Sequence, residues 1–170
     1  FSLATGRAPQ AIQPYIPQMP FNAPYSLLNG SLIVDSSHHV LHCAGMPEDT
    51  KDLIRITLSE FSQIGCEIFV GNRVLVRRMS PETGHHIKVL DLEYSMVTQE
   101  SLGNTAEWCK INFTGKPEQM ENVRTFLKPY TDRFCMASSM PAFCEITASR
   151  INKGSALRQI AADRGLAEHR

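Results

Sequence analysis

The stretch PEDTKDLIRITLSEFSQIGCEIFVGNRVLVRRM, residues 47 to 79, decides the fold. Pro47, Glu48 and Asp49 read as a helix start, where proline's missing amide costs nothing and carboxylates face the positive end of the helix dipole. Leu53, Ile54, Leu58, Phe61 and Ile64 then recur along one helical face, and Gly65 predicts the stop. Two apolar runs follow, CEIFV at 66–70 and RVLVRRM at 73–79, on either side of Gly71-Asn72, a link suited to a two-residue hairpin. The unit is helix, strand, strand.

The same order returns further along the chain. WCKINFTG (108–115) predicts a strand, PEQMENVRTFLKPY (117–130) a helix opened by Pro117 and Glu118, and RFCMASS (133–139) with AFCEITA (142–148) a second hairpin. Between the two units, HHIKVLDLEYSMVT (85–98) is compatible with strand or helix. The two units share architecture without shared residues. They predict an α/β fold in which a two-layer unit, with a mainly antiparallel sheet and helices on one face, spans about residues 35–146.

Composition narrows the partners. With 42% hydrophobic and 20% charged positions the chain should be globular, and 17 basic against 17 acidic residues leave no net field toward nucleic acid or an anionic membrane. No apolar stretch approaches the ~20 residues of a membrane span, and the N-terminus lacks a signal-peptide pattern, so a cytoplasmic protein is expected. Cys43, Cys66, Cys109, Cys135 and Cys144 include no CxxC pair, which predicts reduced thiols packed as small hydrophobes. Of the histidines, His38-His39 and His85-His86 are adjacent pairs, and neighbours on a strand point to opposite faces. No metal ligand set is expected from these residues.

Outward from the centre lie two chemically loaded ends. Phe1 to Ala4 is an apolar run that predicts a buried strand, with Thr5-Gly6-Arg7 at its carboxyl end, where open α/β sheets bind ligands. Pro14 and Pro17 limit the helix that Pro9 starts, and PYSLLNGSLIVD (24–35) reads as strand, Asn29-Gly30 turn, strand. At the other end a helix should run from Lys153 with Ala156, Leu157, Ile160 and Ala161 as its apolar stripe and Gly165 as its cap. Asn152 can cap its free amides, Lys153 adds positive charge, and Gly154 lets a ligand approach the backbone.

ATGR at 4–7, LLNG at 27–30, Ser138-Ser139 followed by FCEI at 143–146, and NKGSALRQIAADRGL at 152–166 occur in an order that resembles the Cof-type phosphatases of the haloacid dehalogenase-like superfamily. The resemblance implies an α/β substrate-specificity cap at 35–146 inserted in an incomplete Rossmann-like core at 1–34 and 147–170. It further implies that Thr5 and Lys153 bind the transferring phosphoryl group, with Gly6, Arg7, Asn29, Gly30 and Gly154 around the substrate.

On the same resemblance the activity is hydrolysis of a small phosphorylated metabolite through an aspartyl phosphate, with magnesium as cofactor. The family's DxDGT and GDxxND segments do not occur in these residues. The nucleophile and the magnesium carboxylates are therefore expected outside them, on missing core segments of the same protein or another chain. The 170 residues then read as part of a longer enzyme, inactive alone. Asp35, Asp91 and Asp163 sit in no DxD arrangement after an apolar strand and are not recruited as nucleophiles. A noncatalytic module that keeps the cap fold and binds a phosphorylated ligand is the alternative.

Overall fold

The computed structural model of the chain describes residues 1–166. Its first part is a short helix α1 (Pro9–Ile12), continued as a 3-10 helix to Gln18, and three short strands, β1 (Tyr25–Leu27), β2 (Leu32–Val34) and β3 (Val40–Cys43). These strands form an antiparallel sheet in the order β1-β2-β3. The small sheet thus runs past residue 34 to Cys43 before the chain leaves it.

Phe1 to Ala4 does not form the expected strand. Its sole pairing is a parallel bridge from Ala4 to Ser26, and Phe1 is 58% exposed. The Ser26 amide donates to Leu3 O at 2.8 Å and the Thr5 amide to Ser26 O at 3.0 Å. The next acceptor in that ladder, Pro24 O, accepts instead from Ser2 Oγ at 2.6 Å, and regular pairing stops there.

The rest of the chain builds a larger sheet. In sequence come α2 (Thr50–Glu60), β4 (Gly65–Val70), β5 (Arg73–Arg78), α3 (Pro81–Leu90), β6 (Tyr94–Met96), β7 (Lys110–Thr114), α4 (Pro117–Leu127), β8 (Phe134–Ala137) and β9 (Phe143–Ala148). The strands pair in the order β6-β5-β4-β7-β9-β8, all antiparallel except β5 with β6. Both predicted hairpins, β4–β5 and β8–β9, are present. The ambiguous stretch after Ser80 holds both a helix and a strand, α3 and β6.

The two faces of this sheet differ. Leu53, Ile54 and Leu58 of α2 and Met120, Val123 and Leu127 of α4 pack on Ile68, Ile111, Phe113 and Ile146, a dry layer that drives the fold through apolar burial. Contrary to the one-sided expectation, α3 lies on the opposite face, where Ile87 packs with Phe69, Val74, Val76 and residues of α1 and β1. Side chains alternate along a strand, so Glu67, Lys110, Asn112, Thr114 and Glu145 share this second face.

Gly65 has a different role from the one expected. It does not stop the helix; α2 ends at Glu60, and Gly65 begins β4 instead. A Cβ there would lie 1.8 Å from Thr83 Oγ1 of α3 and 2.5 Å from Thr114 Oγ1 of β7, so the glycine serves a close helix-to-strand approach.

The last helix, α5 (Lys153–Asp163), packs Ala156 and Ile160 on Ile33 of β2. Of the four residues expected in that stripe, Leu157 is 42% exposed and Ala161 is half-buried, which leaves Ala156 and Ile160 as the buried pair. Gly165 follows the helix at φ +66°, in the left-handed region expected of a helix end. No helix among the described residues is long and apolar enough to cross a membrane.

Candidate functional site

The Thr5-Gly6-Arg7 turn is held by the turn between β1 and β2. Asn29 donates its amide to Thr5 O at 3.1 Å, and Leu28 donates to Arg7 O at 3.1 Å. Three consecutive residues of that turn, Leu28, Asn29 and Gly30, have positive φ, at 51°, 60° and 106°. For Leu28 and Asn29 this costs about 1 kcal/mol or more each, which packing must offset. Asn29 thereby sits under Gly6, where a Cβ would lie 2.5 Å from Asn29 Oδ1.

Gly30 brings the third segment in. A Cβ at Gly30 would be 2.3 Å from the backbone oxygen of Asn152, so the turn can rest on the start of α5 only because residue 30 has no side chain. Asn152 caps that helix as expected: its Oδ1 accepts from the Ser155 amide at 3.0 Å, and Ser155 Oγ accepts from the Asn152 amide at 2.9 Å. Lys153 is left exposed at the first helical position. Thr5 Oγ1 accepts from the Arg7 amide at 3.2 Å, and the Arg7 guanidinium lies 5.6 Å from the centre of the Tyr15 ring.

These segments form one wall of a cavity of about 690 Å³. Thr5, Gly6, Arg7, Asn29 and Lys153 line it, from three stretches of the chain. Gly30 and Gly154 do not: Gly30 acts as the packing point just described, and Gly154 meets Asn152 Oδ1 at 3.2 Å from where its Cβ would be. A smaller cavity of about 200 Å³ lies between α2 and the Tyr130–Phe134 turn, with no such convergence of backbone turn, amide and ammonium.

The facing wall comes from the larger sheet. Lys110 of β7, 3% exposed, donates from Nζ to Gly6 O at 2.9 Å and lies 4.7 Å over the Phe69 ring. Glu145 of β9 stands 3.8 Å from the same ammonium, accepts from Ser139 Oγ at 2.7 Å, and accepts from Asn29 Nδ2 across the cavity. The two walls are therefore bonded to each other at Gly6 and at Asn29.

Burial pushes the Glu145 carboxyl up, but the Lys110 ammonium, the Ser139 and Asn29 hydrogen bonds and Lys153 outweigh it and leave it below the usual carboxylate range. Burial lowers Lys110, and Lys153 adds to this, while Glu145 and Glu67 pull back toward the charged form.

Next to this pair, Glu67, Asn112 and Glu145 are direct cross-strand neighbours in β4, β7 and β9. Glu67 is fully buried, with His86 Nδ1 at 2.8 Å and Asn112 Nδ2 donating to its other oxygen at 2.8 Å. His86 and His85 both line the cavity. Reasoning from sequence missed Lys110, Glu67 and His86. One signal was available: KINFT alternates polar and apolar residues in a strand flanked by apolar ones.

Magnesium can be tested against the donor set. Among the described residues no group of three or more His, Cys, Asp or Glu side chains could hold a metal ion. Of the cavity's carboxylates, Glu145 is already engaged by Lys110, Ser139 and Asn29. The described residues do not fit a magnesium site.

A family profile described as haloacid dehalogenase-like hydrolase matches residues 1–170. Comparison with curated proteins finds no match. Among solved structures the chain is similar to a haloacid dehalogenase-like hydrolase from Bacteroides thetaiotaomicron (TM-score 0.82, 15% identity), covering 98% of this chain and 64% of that one. It is also similar to a protein from Thermotoga maritima (TM-score 0.78, 16% identity; 96% and 62% covered). A third is described as a subclass IIB sugar phosphatase of the same superfamily (TM-score 0.76, 16% identity; 98% and 63% covered). The chain thus spans a little under two thirds of the length of these structures.

Proposed function

The chain belongs to the haloacid dehalogenase-like hydrolase family, and on that premise we propose that it forms the substrate-binding and phosphate-binding part of a phosphatase for small phosphorylated metabolites. One observation carries the reading: Thr5, Asn29 and Lys153, more than 120 residues apart at the extremes, line the same cavity beneath the sheet face that holds Lys110 and Glu145. In support, a structural neighbour is described as a sugar phosphatase.

In this reading residues 1–34 and 147–170, with β3 of the small sheet, belong to the catalytic core, and the rest of 35–146 to the cap that covers it. The Thr5 hydroxyl and the Gly6 amide donate to phosphoryl oxygens, the Arg7 amide holds the Thr5 hydroxyl oxygen at 3.2 Å, and the Lys153 ammonium neutralises the charge that develops on the phosphoryl group. Fixed donors aimed at that charge are the main device available to a protein in phosphoryl transfer. The facing wall holds the rest of the substrate and excludes water. An aspartate nucleophile, its aspartyl phosphate and the magnesium ligands are assigned to segments outside these residues, in a cytoplasmic enzyme, and no step here runs through the metal.

The test is a turnover assay of the full-length protein on a panel of phosphorylated sugars, nucleotides and cofactors with magnesium. The reading expects phosphate release for at least one member, reduced ~100-fold or more by Lys153→Ala. Saturable binding of such a ligand with no turnover would instead support a noncatalytic binding module.

A further inference from the structure

Away from the cavity, two thiols meet across the seam between the sheets. Cys43 ends β3 in the small sheet and Cys109 immediately precedes β7 in the large one; their sulfurs are 3.2 Å apart although 66 residues separate them. Both backbones are pinned on their own sides. Cys109 donates its amide to Phe69 O at 2.8 Å, and Ala44, next to Cys43, donates to Ser31 O at 2.8 Å. Cys43 is exposed and Cys109 is buried behind it.

We propose that Cys43 and Cys109 are a site of oxidative modification, in which a hydroperoxide oxidises Cys43 and Cys109 closes the product to a disulfide joining β3 to β7. In the first step the Cys43 thiolate attacks one peroxide oxygen, the O–O bond breaks, and hydroxide (or the alcohol, from an organic peroxide) leaves, giving a sulfenic acid. In the second, the Cys109 sulfur attacks the Cys43 sulfur, the S–O bond breaks, and the Cys109 proton departs with the hydroxyl as water. Two electrons pass from the thiols to the peroxide.

The surroundings sort the roles. A hydrogen bond from Cys109 pushes the Cys43 thiol down to about 7, against burial and the nearby Glu107 charge, which favours its thiolate. The same contact and burial push Cys109 up, which suits a thiol that reacts second, at contact distance. Cys66 and Cys144 are buried, and burial pushes both up, Cys144 to about 12, which keeps them inert. Cys109 adjoins Lys110, so the bond would also fix the seam beside the Lys110–Gly6 contact.

The experiment is peptide mapping without reductant after brief hydrogen peroxide treatment of dilute protein. The expected product is monomeric, two hydrogens lighter, carries a Cys43–Cys109 linked peptide, and is restored by dithiothreitol. Cys43 should react at least ~10-fold faster than the half-buried Cys135, whose thiol has no sulfur neighbour at contact distance among the described residues. Cys109→Ala should trap Cys43 as a sulfenic acid that dimedone labels. Cys43 passing to sulfinic acid in the unsubstituted protein while Cys109 stays free, or linking to a second chain, overturns the proposal.

Discussion

Lys110 Nζ reaches the carbonyl oxygen of Gly6 at 2.9 Å, across 104 residues of sequence. The contact joins the sheet that faces the cavity to the turn that carries Thr5, and Glu145 completes it by pairing with Lys110 while accepting from Asn29. Fold and candidate site therefore share one buried polar network, and disturbing it should be felt in both.

Lys110→Met should lower the unfolding free energy by about 3 kcal/mol, because it leaves Glu145 buried without its cation. Lys110→Met combined with Glu145→Leu should recover much of that loss. A urea-denaturation double-mutant cycle measures it; additive losses would mean that the two side chains do not act as a pair.

The pH dependence follows from the direction of the Glu145 shift. Its folded value lies below the ordinary one, so its stabilisation is present above the unfolded carboxylate value of ~4.3 and is lost as pH falls through the folded value. Urea midpoints should drop as pH falls below about 5, and Glu145→Gln should flatten that drop. An identical acid profile for the two proteins would remove Glu145 from the account.

Two glycines mark close approaches that sequence alone does not show. Gly65→Ala places a methyl 1.8 Å from Thr83 Oγ1 and should cost about 2 to 3 kcal/mol. Gly30→Ala, at φ +106° and 2.3 Å from a backbone oxygen that cannot swing away, should cost at least as much and displace Lys153 as well. Gly71→Ala, with nothing within 4 Å and only its φ of +56° against it, is the control at about 1 kcal/mol. Thermal unfolding should give Gly30→Ala a midpoint no higher than that of Gly65→Ala, with Gly71→Ala above both.

The helix–strand–strand units were legible because their signals are local: Leu53, Ile54 and Leu58 repeat at helical spacing, and Gly71-Asn72 marks a turn between apolar runs. The cap of α5 was legible for the same reason, in Asn152 and Ser155. Phe1–Ala4 misled because an apolar run does not show its partner: Ala4 bridges to Ser26, and the next carbonyl, Pro24 O, accepts from the Ser2 hydroxyl. Gly65 misled because its role lies in a contact with α3, fifteen or more residues away. The polar row of Lys110, Asn112 and Glu145 was in plain view as residues. A polar strand face ordinarily means solvent, and nothing local says that α3 and the turns at Gly6 and Asn29 will meet it.

The central claim is that Thr5, Gly6 and Lys153, with Asn29 supporting the Thr5 turn, form a phosphate site, and an amide-resolved NMR titration with inorganic phosphate tests it most directly. The account predicts saturable shifts at Gly6, Arg7, Asn29 and Lys153, with affinity weakened about tenfold by Lys153→Ala as one charged hydrogen bond is lost. Shifts confined to other parts of the surface, or shifts at these residues that Lys153→Ala leaves unchanged, would contradict it.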